Sequence, residues 1–235
     1  MAIVGLDREQ EFALLAEMTS TRNLLSYGVR VIRTGAFIET TRDPILTMLS
    51  IGVEKLYKLT LGLVALDRDC KWPTKAEMQR RGHELVPMHQ EVWGELRTRT
   101  ASKSQYLREL LAEVDVDAVV VPVIAALDMY GQRGRFYYLD QLGEHLQPVS
   151  PDDAWQRIEG AALADSSVAA LYDRAMRDVR DNDAWERFIR ALHERIATAV
   201  ERVWITIAVC GRNHALGETG SVFGFEVHPD AVGRQ

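Results

Sequence analysis

"WERFIRALHERIATAVERVWITI", residues 185–207, decides the fold. Its apolar residues Trp185, Phe188, Leu192, Ile196, Ala199, Val203 and Ile207 recur at steps of three and four, which places them in one stripe along roughly six helical turns. Asp183 and Glu186 supply a start signal just ahead of the stripe. A helix this long needs an apolar partner surface, and the flanking sequence supplies more helices rather than strands.

Upstream, Leu14, Met18, Leu25, Val29, Ile32 and Ala36 draw a similar stripe from Asp7 to about Ile38, with a bend possible at Gly28. A second helix is expected to open at Asp43 and Pro44, since aspartate caps and proline suits a first helical position. It is apolar on nearly every face except at Glu54, Lys55 and Lys58. That pattern belongs to a central helix packed on several sides. Pro73 stops it, Thr74 with Glu77 forms a capping box for a short helix, and Gly82 ends that helix. Further helices are expected from His83 to Thr100, over 102–115 and over 117–130. The β-branched run Val119 to Val121 leaves a strand open in the last of these.

Ser150 and Pro151 start another helical stretch reaching to about Arg180. No alternating pattern points to a sheet, so the fold is expected to be all-α: a multi-helix bundle over residues 1–210. Residues 211–235 form a glycine-rich tail, in which "SVFGFEV" alternates like a short extended segment laid on the bundle or on a partner.

Composition excludes several classes. The chain is 47% hydrophobic and 26% charged, ordinary for a globular protein. Its longest apolar runs, 118–127 and 203–210, fall short of the roughly 20 residues needed to cross a bilayer. With two distant cysteines and no apolar amino-terminal signal, the chain reads as reduced and cytoplasmic. A net charge of −6 disfavours broad contact with nucleic-acid backbone, yet residues 71–108 carry 8 basic and 4 acidic groups. Neither a phosphate-binding loop nor a nucleophile elbow occurs, no cofactor motif is present, and His83 and His89, six apart, would point about 120° away from each other on a helix rather than at one metal ion.

"YGQRGRFYYLD", residues 130–140, raises a different question. Gly131 and Gly134 have the spacing of a backbone clamp for single-stranded nucleic acid, which makes Arg133, Arg135 and Tyr137 candidate binding residues. Without a sheet beside it, the stretch reads instead as a hinge between helices. Its glycines would adopt left-handed conformations, and Arg135 would be satisfied by carboxylates and carbonyls. Phe136, Tyr137 and Tyr138 fan over about 200° of helix, so a neighbouring subunit or the carboxyl-terminal tail is expected to cover them.

"GVEKLYKLTLGLVALDRDCKWP" and "RRGHELVPMHQEV", within residues 52–92, resemble the HEPN superfamily of helical bundles in the first half of the chain. The resemblance implies either a nucleotide-associated module or a metal-independent RNase of a toxin or defence system. Nuclease members carry Arg-x(4 to 6)-His on a late helix, and two subunits join their pairs across a dimer. Arg187 and His193 are the match here, with Phe188 in a place where the family favours a polar residue. Arg187 projects about 120° from His193 and away from the apolar stripe. The expectation is therefore a non-catalytic HEPN-like module for oligomerisation, interaction or nucleotide sensing, dimeric, with nucleotide or RNA as the ligand to test and no membrane. The RNase is the alternative. His83, Arg212, Asn213 and His214 complete the candidate binding residues, the last three also suiting the negative end of a helix.

Overall fold

The computed structural model describes residues 3–34 and 38–233. Among these residues the chain forms eleven α-helices and two 3-10 turns with no strand, so the fold is an all-α multi-helix bundle. Helices α1 (Arg8–Thr34) and α2 (Ile38–Asp69) lie along each other. Leu14, Met18, Leu25, Val29 and Ile32 are buried as the stripe requires, while Ala36 lies outside the described residues. Gly28 lies inside the unbroken helix and leaves room for contact. A side chain there would come within 2.5 Å of Leu49, and one at Gly52 within 3.0 Å of Leu25, so each helix receives a leucine of the other.

α2 begins before the predicted start. Pro44 stands inside the helix rather than in its first turn. A proline there forfeits one backbone hydrogen bond, but Ile45, Leu46 and Leu49 are fully buried just after it and Arg42 is ion-paired to Asp152 just before it. Tertiary anchoring outweighs the start signal. Further along, α2 is central as expected: it packs on α1, on α4 (Leu85–Thr100), on α6 (Val120–Gln132) and on α11 (Gly217–Glu226). Its polar patch is paired, Lys58 with Glu54 at 2.7 Å and Lys55 with Glu17 at 2.6 Å.

The Thr74–Glu77 capping box opens α3 (Lys75–Arg80). Between α5 (Gln105–Val116) and α6, the buried Asp117 accepts from the backbone N–H of Val119 at 3.0 Å, and the β-branched run beyond it is helical. Asp117 also receives Arg195 at 2.5 Å and Arg202 from α10 (Asn182–Arg212). Burial alone would raise its pKa, but the two guanidinium groups and the backbone donor together hold it below the ordinary value. The polar stretch after Ser150 is two helices, α8 (Pro151–Leu163) and α9 (Ser166–Arg177), divided where the Asp165 carboxylate accepts from Ser167 N.

α10 buries Phe188, Leu192, Ile196, Ala199, Val203 and Ile207, with Trp185 half-buried among Tyr172 and Phe188. Its cap is Asp181 rather than Asp183, because Asp181 is non-helical and its carboxylate accepts from Ala184 N at 2.9 Å. The largest correction concerns "SVFGFEV", which is helical, within α11. Its glycines serve contact. A side chain on Gly211 would meet the Gly220 carbonyl oxygen at 2.7 Å, and one on Gly224 would collide with the backbone of Ala208 and Arg212. α10 and α11 thus touch backbone to backbone, with Phe223 fully buried and Trp204 Nε1 donating to the Val227 carbonyl at 2.5 Å.

Candidate functional site

His193 stands where α10 passes α8 and the start of α2. It is only 5% exposed, and among the described residues its imidazole makes no hydrogen bond. Burial lowers its pKa from 6.5, so the ring is neutral at pH 7. The side chain lines a cleft of about 390 Å³ together with Glu39 and Glu159, between apolar walls supplied by Ile38, Leu163, Phe188, Ile189 and Leu192. Glu159 Oε1 accepts from Trp155 Nε1 at 2.8 Å, and burial is the main cause raising its pKa above 4.5. Arg42, the cation acting on Glu159, is paired with Asp152, and its Nε is buried without a hydrogen bond.

Arg187 is exposed and takes no part in this cleft. The two residues of the Arg-x(5)-His spacing therefore do not meet in one chain, as their helical phase predicts. A neutral imidazole beside a carboxyl group of raised proton affinity is chemically suited to exchanging protons or to holding a hydrogen-bond donor. Among the described residues, no group of three or more metal-ligating side chains converges.

No family model matches the chain, and neither does any curated protein or solved structure. The remaining candidate residues are placed by the structure alone.

His83 Nδ1 lies 2.9 Å from Glu54, which also holds Lys58, and Lys58 donates to the Gly82 carbonyl at 2.8 Å. This network ties the α3–α4 link to α2. Arg212 Nε donates to the Gly224 carbonyl at 3.1 Å, and its guanidinium lies 4.8 Å from the centre of the Phe225 ring. Asn213 Nδ2 donates to the Val209 carbonyl at 2.9 Å, and His214, at φ +57°, lies 3.4 Å from Glu218. Arg212 and His214 join the end of α10 to α11, while Asn213 closes the last turn of α10 itself.

At the 130–140 corner, α6 continues through Gly131, and neither Gly131 nor Gly134 has a positive φ. A side chain at Gly134 would come within 2.5 Å of Met129 Sδ, whose flexible end would have to move aside. Arg135 is exposed, lies over the Phe136 ring at 5.0 Å and makes no hydrogen bond among the described residues, so its fork faces solvent and is not held by the expected carboxylates and carbonyls. Arg133 accepts from Gln147 through its carbonyl, and Tyr137 stands edge-on to Tyr138 at 5.2 Å. Tyr137 and Tyr138 open the short helix α7 (Tyr137–Leu142).

The sequence reading missed a second cleft, of about 450 Å³, at the end of α2. Trp72, packed against Gly62, forms part of its lining with Lys71, Arg80 and the paired residues Arg68–Asp69 and Arg81–Glu91. Lys71 and Arg80 make no ion pair among the described residues. The excess of basic residues over 71–108 was its only sequence signal.

Proposed function

We propose that the chain is a non-catalytic, HEPN-like helical module that works by self-association, most simply as a symmetric dimer. The observation that carries this reading is the apolar surface at and after the 130–140 corner. Phe136, Tyr138, Leu139, Leu142 and Leu146 are 47% to 83% exposed, and Tyr138, Leu139 and Leu142 share one side of α7. Of the two covers expected for these rings, the carboxyl-terminal segment packs elsewhere, on α10, α2 and α1. A neighbouring subunit is the cover that this reading assigns to them. Apolar surface concentrated in this way marks an interaction site.

Light scattering on the purified chain at about 10 µM, a concentration at which a dimer of ordinary affinity persists, is expected to give twice the 26.5 kDa chain mass. Leu139→Glu combined with Leu142→Glu should return it to one chain mass. A wild-type monomer would defeat the proposal. Incubation with RNA should yield no cleavage, and cleavage abolished by Arg187→Ala or His193→Ala would put the RNase in its place.

Nucleotide sensing is the second reading, supported by Lys71 and Arg80 standing unpaired beside Trp72 in the α2–α3 cleft. A nucleoside diphosphate should then raise the melting temperature, and Lys71→Ala with Arg80→Ala should remove that shift.

A further inference from the structure

The His193 cleft is lined by α2, α8 and α10 and not by α7, and its chemistry is distinctive. The geometry points to a binding site there for a small organic cation, a primary ammonium group on an apolar body of about one ring. At about 390 Å³ the cleft is at the small end of ligand pockets, and its walls are aliphatic and aromatic apart from three polar side chains. Two of these are the carboxylates of Glu39 and Glu159. The guanidinium acting on Glu159, Arg42, is already matched by Asp152, so an arriving anion would meet net repulsion and a cation net attraction.

The third polar group is His193. A neutral imidazole has one donor and one acceptor nitrogen, and here both lack a partner within the described chain although the residue is more than nine-tenths buried. Its ring nitrogens are not sealed in protein but open onto the cleft, where a ligand can replace their water. An ammonium ligand offers three N–H donors, enough for the imidazole acceptor and both carboxylates, while its ring replaces water against Leu163, Phe188 and Leu192. Trp155 already occupies one oxygen of Glu159 and fixes the carboxylate.

The test is a titration of the intact chain, followed by amide NMR, with 2-phenylethylammonium, the anion 3-phenylpropionate and the neutral 3-phenylpropanol. The ammonium ion is expected to saturate with a dissociation constant of about 1 mM or tighter, shifting the amides of Gly160, Leu163, Leu192 and His193. The anion should not bind, and the alcohol should bind about tenfold more weakly. Glu159→Gln keeps the acceptor for Trp155 and removes the charge, so it should weaken the ammonium ion about tenfold at unchanged melting temperature. Gly160→Phe places a ring at the cleft where a side chain meets nothing within 4 Å, and should abolish binding without unfolding the chain. Equal affinity for anion and cation, unchanged affinity in both variants, or no saturation by about 10 mM would each overturn the proposal.

Discussion

Gly224 shows how much can rest on a missing side chain. In most helices, alanine for glycine stabilises by about 0.5–1 kcal/mol because it restricts the unfolded chain. At Gly224 the added carbon would collide with backbone of α10, which no rotamer change can relieve. Gly224→Ala is therefore expected to destabilise by about 2–3 kcal/mol, whereas Gly94→Ala, in α4 with nothing within 4 Å, should stabilise by about 0.5–1 kcal/mol. Urea denaturation of the two variants checks both signs. The cysteines provide a second contrast. Cys70 is exposed, while burial pushes the Cys210 thiol up to about 12. A thiol-reactive dye should label one site per chain in the native state, at Cys70, and a second only on unfolding, because the thiolate is the reactive form.

Between elements, the contact of α2 with α4 is set by three rings. Tyr57 OH lies 2.6 Å from His89 Nδ1, and His89 stacks on Trp93 with centroids 4.2 Å apart. Burial pushes the His89 pKa from 6.5 down to about 4. Between those two values the unfolded chain holds a proton that the folded chain refuses, so stability should fall as pH drops from 6.5 to 4 and level off below. The full effect is about 3 kcal/mol or a little more. A proton NMR titration of the His89 ring should give a midpoint near the lower value. A midpoint near 6.5 would mean that the ring is not held in this packing. Asp117 ties a different set of elements, closing the α5–α6 corner onto α10. Asp117→Asn keeps the cap but strips the charge facing Arg195 and Arg202, and should cost about 2 kcal/mol or more in thermal or urea unfolding.

At the scale of the molecule, what the sequence made readable was what depends on local order. Helix class, the Thr74 and Ser150 caps and the buried stripe of α10 follow from spacing along one segment. Misreadings came where a distant segment decides. Pro44 is carried inside α2 by contacts with α8, and Gly224, in a segment whose alternation reads as extended, records the approach of a second backbone. The candidate sites divide in the same way. His193 was visible as a histidine flanking the core, but its cleft partners Glu39 and Glu159 come from helices more than 30 residues away, which no spacing along the chain could reveal.

The backbone contact between α10 and α11 also bears on how the protein yields to pressure. Where main chain rests on main chain, little free space remains to be squeezed out, and that end of the bundle should be its least compressible part. The clefts beside Trp72 and His193 hold the volume that compression can remove. Under hydrostatic pressure, amide resonances from Ala208 to Gly224 should shift linearly and slightly, while those of Trp72, Gly160 and His193 curve as neighbouring side chains move inward. Stiffness would then be distributed by where the glycines are, with the residues of smallest volume marking the hardest region of the molecule.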